Sequence, residues 1–434
     1  MATDLDKLRE RLGQTTATHA FGSVVAVTGL SCRVRMGGVR VGDLVFIRRA
    51  GERLPCEIVG FDGGLAVAMP LGSLRGVGLD DEVESAADGF KVPVSRGLLG
   101  RVVDGLGRPI DGLGELPRGE LVSVDQDPVA PLSRNPIREP VETGVRVLDG
   151  LATLGRGQRI GLFAGSGVGK STLLGAVARG TQADIVVVAL VGERGREVGE
   201  FLEGALGAEG RKKSVVVVAT SDASPLERLR AAQVATAYAE HFRDQGQHVL
   251  LLVDSVTRFA RAQREIGLAC GEPPARRGYP PSVFAMLPRL LERAGQGSTG
   301  AITAIYTVLV EGGDMDEPIA DEVRGILDGH VVLDRSIAAR GIYPAVDPIA
   351  SLSRVMDAVV PQEHAAAARR LRTLLSAYES KRDLIALGAY SRGADKRVDE
   401  AIALLPRIEQ FLRQSPNEHS SLSDTWRSLA GILS

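Results

Sequence analysis

Ala164-Gly165-Ser166-Gly167-Val168-Gly169-Lys170-Ser171-Thr172 decides the reading of the chain. The stretch follows an apolar run over residues 159–163 and opens an amphipathic segment, so it joins an expected strand to an expected helix. Its glycines let backbone N–H groups turn inward around phosphate oxygens, and a helix N-terminus adds partial positive charge. Lys170 is spaced to reach β- and γ-phosphates, and the Ser171 hydroxyl to ligand Mg²⁺. Ala164 replaces the Gly of the strict pattern, but the later glycines form the tight turn. A nucleotide-binding loop is therefore expected from Gly165, Ser166, Gly167, Val168, Gly169, Lys170, Ser171 and Thr172.

Outward from that loop, unbroken β-branched runs cover residues 159–163, 184–191, 214–219, 249–253 and 302–310. Amphipathic segments separate them, which indicates an α/β domain whose mainly parallel sheet is buried on both faces. One helix start is explicit in Ser224-Pro225-Leu226-Glu227, with a capping hydroxyl, a Pro in the first turn and a Glu three residues on. Ligands of such sheets bind at the carboxyl ends of the strands. The run before Asp254-Ser255 places a carboxylate there that suits Mg²⁺, directly or through water. The run ending at Val191 continues Gly192-Glu193-Arg194-Gly195-Arg196-Glu197, and Glu193 is placed to orient or activate an attacking water. Read singly, Asp254 is as well a helix cap and Glu193 a solvated loop charge. Beside a phosphate loop both become site residues.

The rest of the chain divides by pattern. Residues 21–90 alternate over short stretches: Cys32, Val34 and Met36 against Arg33 and Arg35, then Val39 and Val41. Turns at Gly37-Gly38 and Phe61-Asp62-Gly63-Gly64 complete the signature of a small closed β-barrel. Residues 91–350 form the nucleotide domain, and residues 351–434 lose the strands. There, 363–387 and 395–412 read as helices, with Pro406 expected to kink or split the second. The tail after Ser415 is polar and expected to be loosely held. Residues 1–20 carry Leu5, Leu8 and Leu12 at helical spacing and fit either a solvated tail or a short partner-binding helix.

Composition narrows the function classes. At 434 residues the chain is too long for one ordinary domain. Its 52 Lys and Arg against 54 Asp and Glu give a net charge of −2, which argues against a nucleic-acid partner. The longest apolar run, 185–191, falls far short of the ~20 residues a bilayer requires. The start of the chain has no apolar core of a secretory signal. Cys32, Cys56 and Cys270 stand in no metal spacing and read as reduced thiols of a cytoplasmic protein.

From about Phe21 to Phe411 the chain resembles the α/β family of RecA-like hexameric ATPases, which holds rotary ATP synthase subunits and type III secretion ATPases. The resemblance rests on Gly192-Glu193-Arg194 and on Pro344-Ala345-Val346-Asp347-Pro348-Ile349-Ala350-Ser351-Leu352-Ser353. Gly271-Glu272-Pro273-Pro274-Ala275-Arg276-Arg277-Gly278-Tyr279-Pro280-Pro281-Ser282-Val283-Phe284, leading to Leu290-Leu291-Glu292-Arg293-Ala294-Gly295, is more selective and looks like the secretion branch. The wording of 278–284 and of Met315-Asp316-Glu317-Pro318-Ile319-Ala320-Asp321-Glu322 leans to flagellar export over the virulence injectisome.

The resemblance implies ATP or ADP with Mg²⁺ as ligands and a homo-hexameric ring. By position, it makes Lys170 and Ser171 the phosphate and metal contacts, Glu193 the residue polarising water, and Asp254 the second metal acid. Arg194 and Arg258 become phosphate-side cations or links to a neighbour, Tyr343 a stacking partner for adenine, and Arg354 an arginine finger for the next subunit. It further implies a regulator or stator protein at the N-terminus, chaperones and export substrates, and a membrane export gate. The protein would then lie peripherally at the inner membrane. Arg276, Arg277 and Tyr279 read either as pore-lining residues or as an ordinary turn.

Two departures qualify the resemblance. The stretch Gly388-Ala389-Tyr390-Ser391-Arg392-Gly393-Ala394-Asp395-Lys396-Arg397 is mixed to basic where catalytic rotary subunits are acidic, which puts ATP-synthase coupling in doubt. The position of a second adenine-contacting aromatic after Phe411 is empty, so an aliphatic face is expected there. A hexameric RNA translocase is the rival of another class, and the scarcity of aromatics, 4% of residues, weighs against it.

Overall fold

The computed structural model describes residues 20–49, 51–86 and 89–434, so all of the 1–20 expectation except Ala20 lies outside the described residues. Six antiparallel strands come first: β1 (Phe21–Thr28), β2 (Ser31–Met36), β3 (Leu44–Arg49), β4 (Glu52–Asp62), β5 (Leu65–Pro70) and β6 (Glu82–Ser85). They close a barrel in the order β1-β2-β5-β4-β3-β6. Alternate residues such as Val24, Val34, Ile47 and Ile58 fill its interior. Cys32 and Cys56 lie in that core and are free, and burial raises both thiols, Cys32 to about 11. The expected alternation through Val39 and Val41 forms no strand. The chain turns there, the Asp43 carboxylate accepts the Arg40 N–H at 2.7 Å, and Val41 is 64% exposed.

The central sheet contains β7 (Val102–Asp104), β8 (Arg159–Ala164), β9 (Ile185–Glu193), β10 (Ser214–Thr220), β11 (His248–Asp254), β12 (Ala301–Leu309), β13 (Gly329–Leu333) and β14 (Leu352–Ser353). Their order is β14-β13-β8-β12-β11-β9-β10-β7, parallel except where β14 pairs with β13; off this path the short strand Gly295–Gln296 pairs antiparallel with β12. The apolar runs are unbroken because helices cover both faces. Val187 and Ala189 of β9 pack with Tyr238 and Phe242 of α2 (Pro225–Asp244). The alternate residues Val186 and Val188 pack with Leu174 and Val177 of α1 (Lys170–Gly180). The Ser224 hydroxyl caps α2 by accepting the Glu227 N–H at 3.2 Å. Next to β11 in sequence comes α3 (Val256–Ala269).

The stretch from 351, expected to hold no strand, contributes β14 to the sheet edge; beyond it the C-terminal region is helical, and three further local expectations are corrected there. The helix expected over 363–387 is two, α4 (Gln362–Glu379) and α5 (Arg382–Ala386). At the break the Ser380 hydroxyl donates to the Ala377 carbonyl at 2.7 Å, competing with the helical ladder. Pro406 does not split α6 (Lys396–Leu412), which continues through it. Pro406 lies on the exposed face, so the carbonyl it leaves unbonded meets water. The tail after Ser415 is not loose but ends in α7 (Leu422–Leu433). Ser421 caps that helix, and Thr425, Leu429 and Ile432 are buried. Trp426 Nε1 donates to the Asp149 carbonyl at 3.0 Å, and its ring stacks on His364 with centroids 4.9 Å apart. Among the described residues no helix is long and apolar enough to cross a membrane.

Candidate active site

The site begins where β8 ends. Gly169 takes a left-handed conformation, φ 89°, and caps α1, which opens with Lys170. That turn brings the ammonium of Lys170 onto the ends of β9 and β11, whose register sets Leu190 opposite Asp254. Lys170 Nζ donates to Asp254 Oδ1 and lies 3.6 Å from Glu193 Oε1. Asp254 Oδ1 also accepts the Thr307 hydroxyl at 2.7 Å. Arg258, in the first turn of α3, sets its Nε 3.3 Å from Glu193 Oε1. Two buried carboxylates thus meet two cations at the carboxyl edge of the sheet.

The two acids differ in environment. Asp254 is tied by Lys170 and Thr307. Glu193 Oε1 is buried within reach of both cations yet aligned with neither for a hydrogen bond, and Arg258 Nε is likewise unaligned. Burial pushes the Glu193 carboxyl up to about 7; the Lys170 charge opposes that rise, and the Asp254 charge adds to it. Glu197, four residues on, hydrogen-bonds Glu193, and its own carboxyl is lowered by that bond. An acid near neutrality with a free buried oxygen is equipped to accept a proton from a bound water.

Gly192 makes the cluster possible. Its φ is 69°, and a Cβ there would lie 2.8 Å from Arg258 Cδ. Gly192→Ala is expected to destabilise the fold by about 1–3 kcal/mol. Gly195→Ala, where a Cβ would meet no atom within 4 Å, is the control and should leave thermal denaturation nearly unchanged.

The remaining expected residues fall in three places. Tyr343 joins Pro344 through a cis peptide bond, and its ring lies against Gly169, where a Cβ would stand 3.8 Å from Tyr343 Cδ1. It walls a 220 Å³ pocket beside α1 with Thr172, Ala176, Gln414 and Pro416. Arg194 is not drawn into the cluster; its side chain is 73% exposed and sits 3.5 Å from Glu197. Arg354 follows β14 at the far edge of the sheet and is exposed. Its N–H donates to the Asp328 carbonyl at 3.0 Å and its Nη2 to the Arg324 carbonyl at 3.5 Å, so it makes no contact with the Lys170 cluster of its own chain. The 271–284 segment is an ordered turn: Tyr279 is buried, and Arg277 pairs with Asp314 at 3.1 Å. Thr307 was missed by sequence reasoning. It is found only through the register that sets Val253 opposite Tyr306 and so Asp254 beside Thr307.

This arrangement defines a P-loop nucleoside triphosphatase: a phosphate loop at the head of a parallel sheet, with two acids and two cations at its strand ends. Residues 144–353 match the ATP synthase alpha/beta family, nucleotide-binding domain, and residues 360–431 the T3SS EscN ATPase C-terminal domain. The chain is 51% identical to the flagellum-specific ATP synthase of Bacillus subtilis (strain 168), over 96% of each chain. It is 51% identical to the type 3 secretion system ATPase of Xanthomonas euvesicatoria, over 98% of this chain and 97% of the other. The assembled ATPase EscN of the enteropathogenic E. coli type III secretion system superposes with a TM-score of 0.91 at 45% identity, covering 95% of this chain and all of that one. The same protein in complex with its central stalk EscO gives 0.88 at 45% identity and the same coverage. The chain belongs to this family of flagellar and type III secretion ATPases and is an ATPase.

Proposed function

We propose that the chain hydrolyses ATP in a homo-hexameric ring to drive type III export of flagellar proteins, releasing and delivering export substrates. The single observation that carries the catalytic part is the cluster of Lys170, Asp254, Glu193 and Arg258. Lys170 would neutralise β- and γ-phosphate charge, and Glu193 would take the proton of the attacking water. Ser171 and Asp254 offer the hard oxygen donors that Mg²⁺ requires, and the unaligned Glu193 Oε1 leaves room in the hydrogen-bond pattern for a water. A bound Mg²⁺ would supply charge neutralisation at the phosphates. Arg258 orients Glu193, and Arg194 on the exposed surface serves as a link between subunits. Adenine would lie in the pocket between Tyr343 and the aliphatic wall of Ala176 and Pro416.

Among the described residues the cations of the cluster are Lys170 and Arg258, and the charge spread over a transferring phosphoryl group calls for a further one. Arg354, exposed on the far sheet edge, would supply it from the neighbouring copy, which makes the ring part of the mechanism. Export chaperones, substrates, a membrane gate and a regulator or stator at the N-terminus are the proposed partners, and they would hold the protein peripherally at the inner membrane. A central stalk is a further partner, by analogy with the one complexed with EscN. A virulence injectisome is the second reading, since a flagellar and a secretion relative are equally similar to the chain, each 51% identical. Deleting the gene separates them: loss of motility is expected, whereas intact motility with lost effector secretion would favour the injectisome.

The titration of Glu193 gives a further expectation. Its folded pKa is raised to about 7, and the base is the ionised form, so kcat/KM should rise with pH through about 7. Arg258→Gln removes a charge that lowers this pKa and should move the midpoint upward. A profile flat from pH 5.5 to 8.5 in both proteins, measured by phosphate release, would remove Glu193 as the base.

A further inference from the structure

Arg335 stands outside every role assigned above. It opens the short helix Arg335–Ala339, and the sheet explains where it falls. β13 runs parallel to β8 with Leu333 opposite Ala164. Two residues past that pair, one chain reaches Arg335 and the other Ser166. The equal offset delivers the guanidinium to the tip of the phosphate loop.

There its Nη2 donates to the Ser166 carbonyl at 3.3 Å. The same guanidinium lies against Gly165, where a Cβ would stand 3.5 Å from Nε and 3.8 Å from Nη2. On the other flank of the loop, Val310 N–H donates to the Ala164 carbonyl at 3.1 Å. The backbone of Arg335 is itself fixed. Asp334 Oδ1 accepts the N–H groups of Ser336 and Ile337 at 2.6 and 3.2 Å, and Asp334 N–H donates to the Ala345 carbonyl at 2.8 Å. The Asp334 carboxylate is therefore committed to capping. Among the described residues Arg335 has no ion-pair partner, and its side chain is exposed at the lip of the loop.

We infer that Arg335 is a positioning residue of the phosphate loop: it holds the Ser166 carbonyl outward, so that the Gly167 N–H faces the phosphates. A trans peptide is planar, with its C=O and N–H on opposite sides, so fixing one fixes the other. Gly167 has a φ of 79°, a conformation in which successive N–H groups form an anion-binding concavity. The guanidinium adds a fixed positive charge at the tip. The inference rests on the reading of residues 164–172 as the phosphate site.

The test uses the full chain with Arg335→Gln and Arg335→Lys, and with Lys170→Ala as control. Affinity for a fluorescent ADP analogue, kcat and KM from phosphate release, and Tm are measured together. Arg335→Gln should weaken ADP binding and raise KM by about tenfold, with kcat changed less than about threefold and Tm unchanged. Arg335→Lys, which restores the charge on a long side chain that donates, should recover most of the loss. An ADP affinity within twofold of wild type in Arg335→Gln overturns the inference. So does a fall in kcat at unchanged affinity, or an equal loss in both variants accompanied by a lower Tm. If Lys170→Ala binds ADP as wild type does, the phosphate-site reading itself falls. If Lys170→Ala loses binding while Arg335→Gln keeps it, only the Arg335 inference falls.

Discussion

Glu193→Gln is expected to lower kcat by about a thousandfold while nucleotide affinity stays within about threefold of wild type. The amide keeps the shape of the side chain and loses the base. The Lys170–Asp254 pair remains, and one negative charge leaves the neighbourhood of the phosphates, so any change in affinity should be toward tighter binding. Stability has a defined sign as well. The Glu193 carboxyl has a folded pKa raised to about 7, so the folded state holds its proton more tightly than the unfolded chain does. Wild type therefore loses stability as pH climbs from the ordinary carboxylate range through about 7, and the amide variant does not. At pH 8 the variant should melt no lower than wild type although it is inactive. A variant that turns over at a tenth of the wild-type rate or faster would mean that another group accepts the proton.

Arg354→Ala is the second large effect, with kcat again expected to fall by about a thousandfold at nearly unchanged affinity. Within its own chain Arg354 has little to lose. It is exposed, and among the described residues its one side-chain hydrogen bond runs to the Arg324 carbonyl and it has no ion-pair partner. The cost to folding should be within about 0.5 kcal/mol. An arginine that leaves stability and binding alone yet abolishes turnover must act on a site it does not touch in its own chain. Unchanged turnover in this variant, followed by steady-state phosphate release, would remove the finger assignment.

The parts of the site legible in the sequence were those carried by contiguous residues. The loop from Ala164 to Thr172 is its own signature, and Asp254 and Glu193 stand out because each follows an unbroken apolar strand. Thr307 and Arg335 gave no such sign. They reach the site by the register of β12 against β11 and of β13 against β8, which local patterning does not encode. Helix ends erred for the same kind of reason. Pro406 is tolerated on an exposed face, and α7 is held because Trp426 reaches the Asp149 carbonyl, 277 positions away in sequence, while Leu429 is buried. The Ser421-to-Asp424 cap was a local signal for that helix that the polar composition of the tail obscured.

Mixing two inactive variants tests the shared site most directly. Lys170→Ala removes the phosphate side and keeps Arg354; Arg354→Ala does the reverse. Assembled together in equal amounts, about a quarter of the interfaces would join an intact phosphate side to an intact arginine. Phosphate release should then recover to a readily measured fraction of wild type, from two proteins that are each silent alone. A mixture as inactive as its parents, in rings shown to contain both, would contradict a site completed by the neighbouring copy.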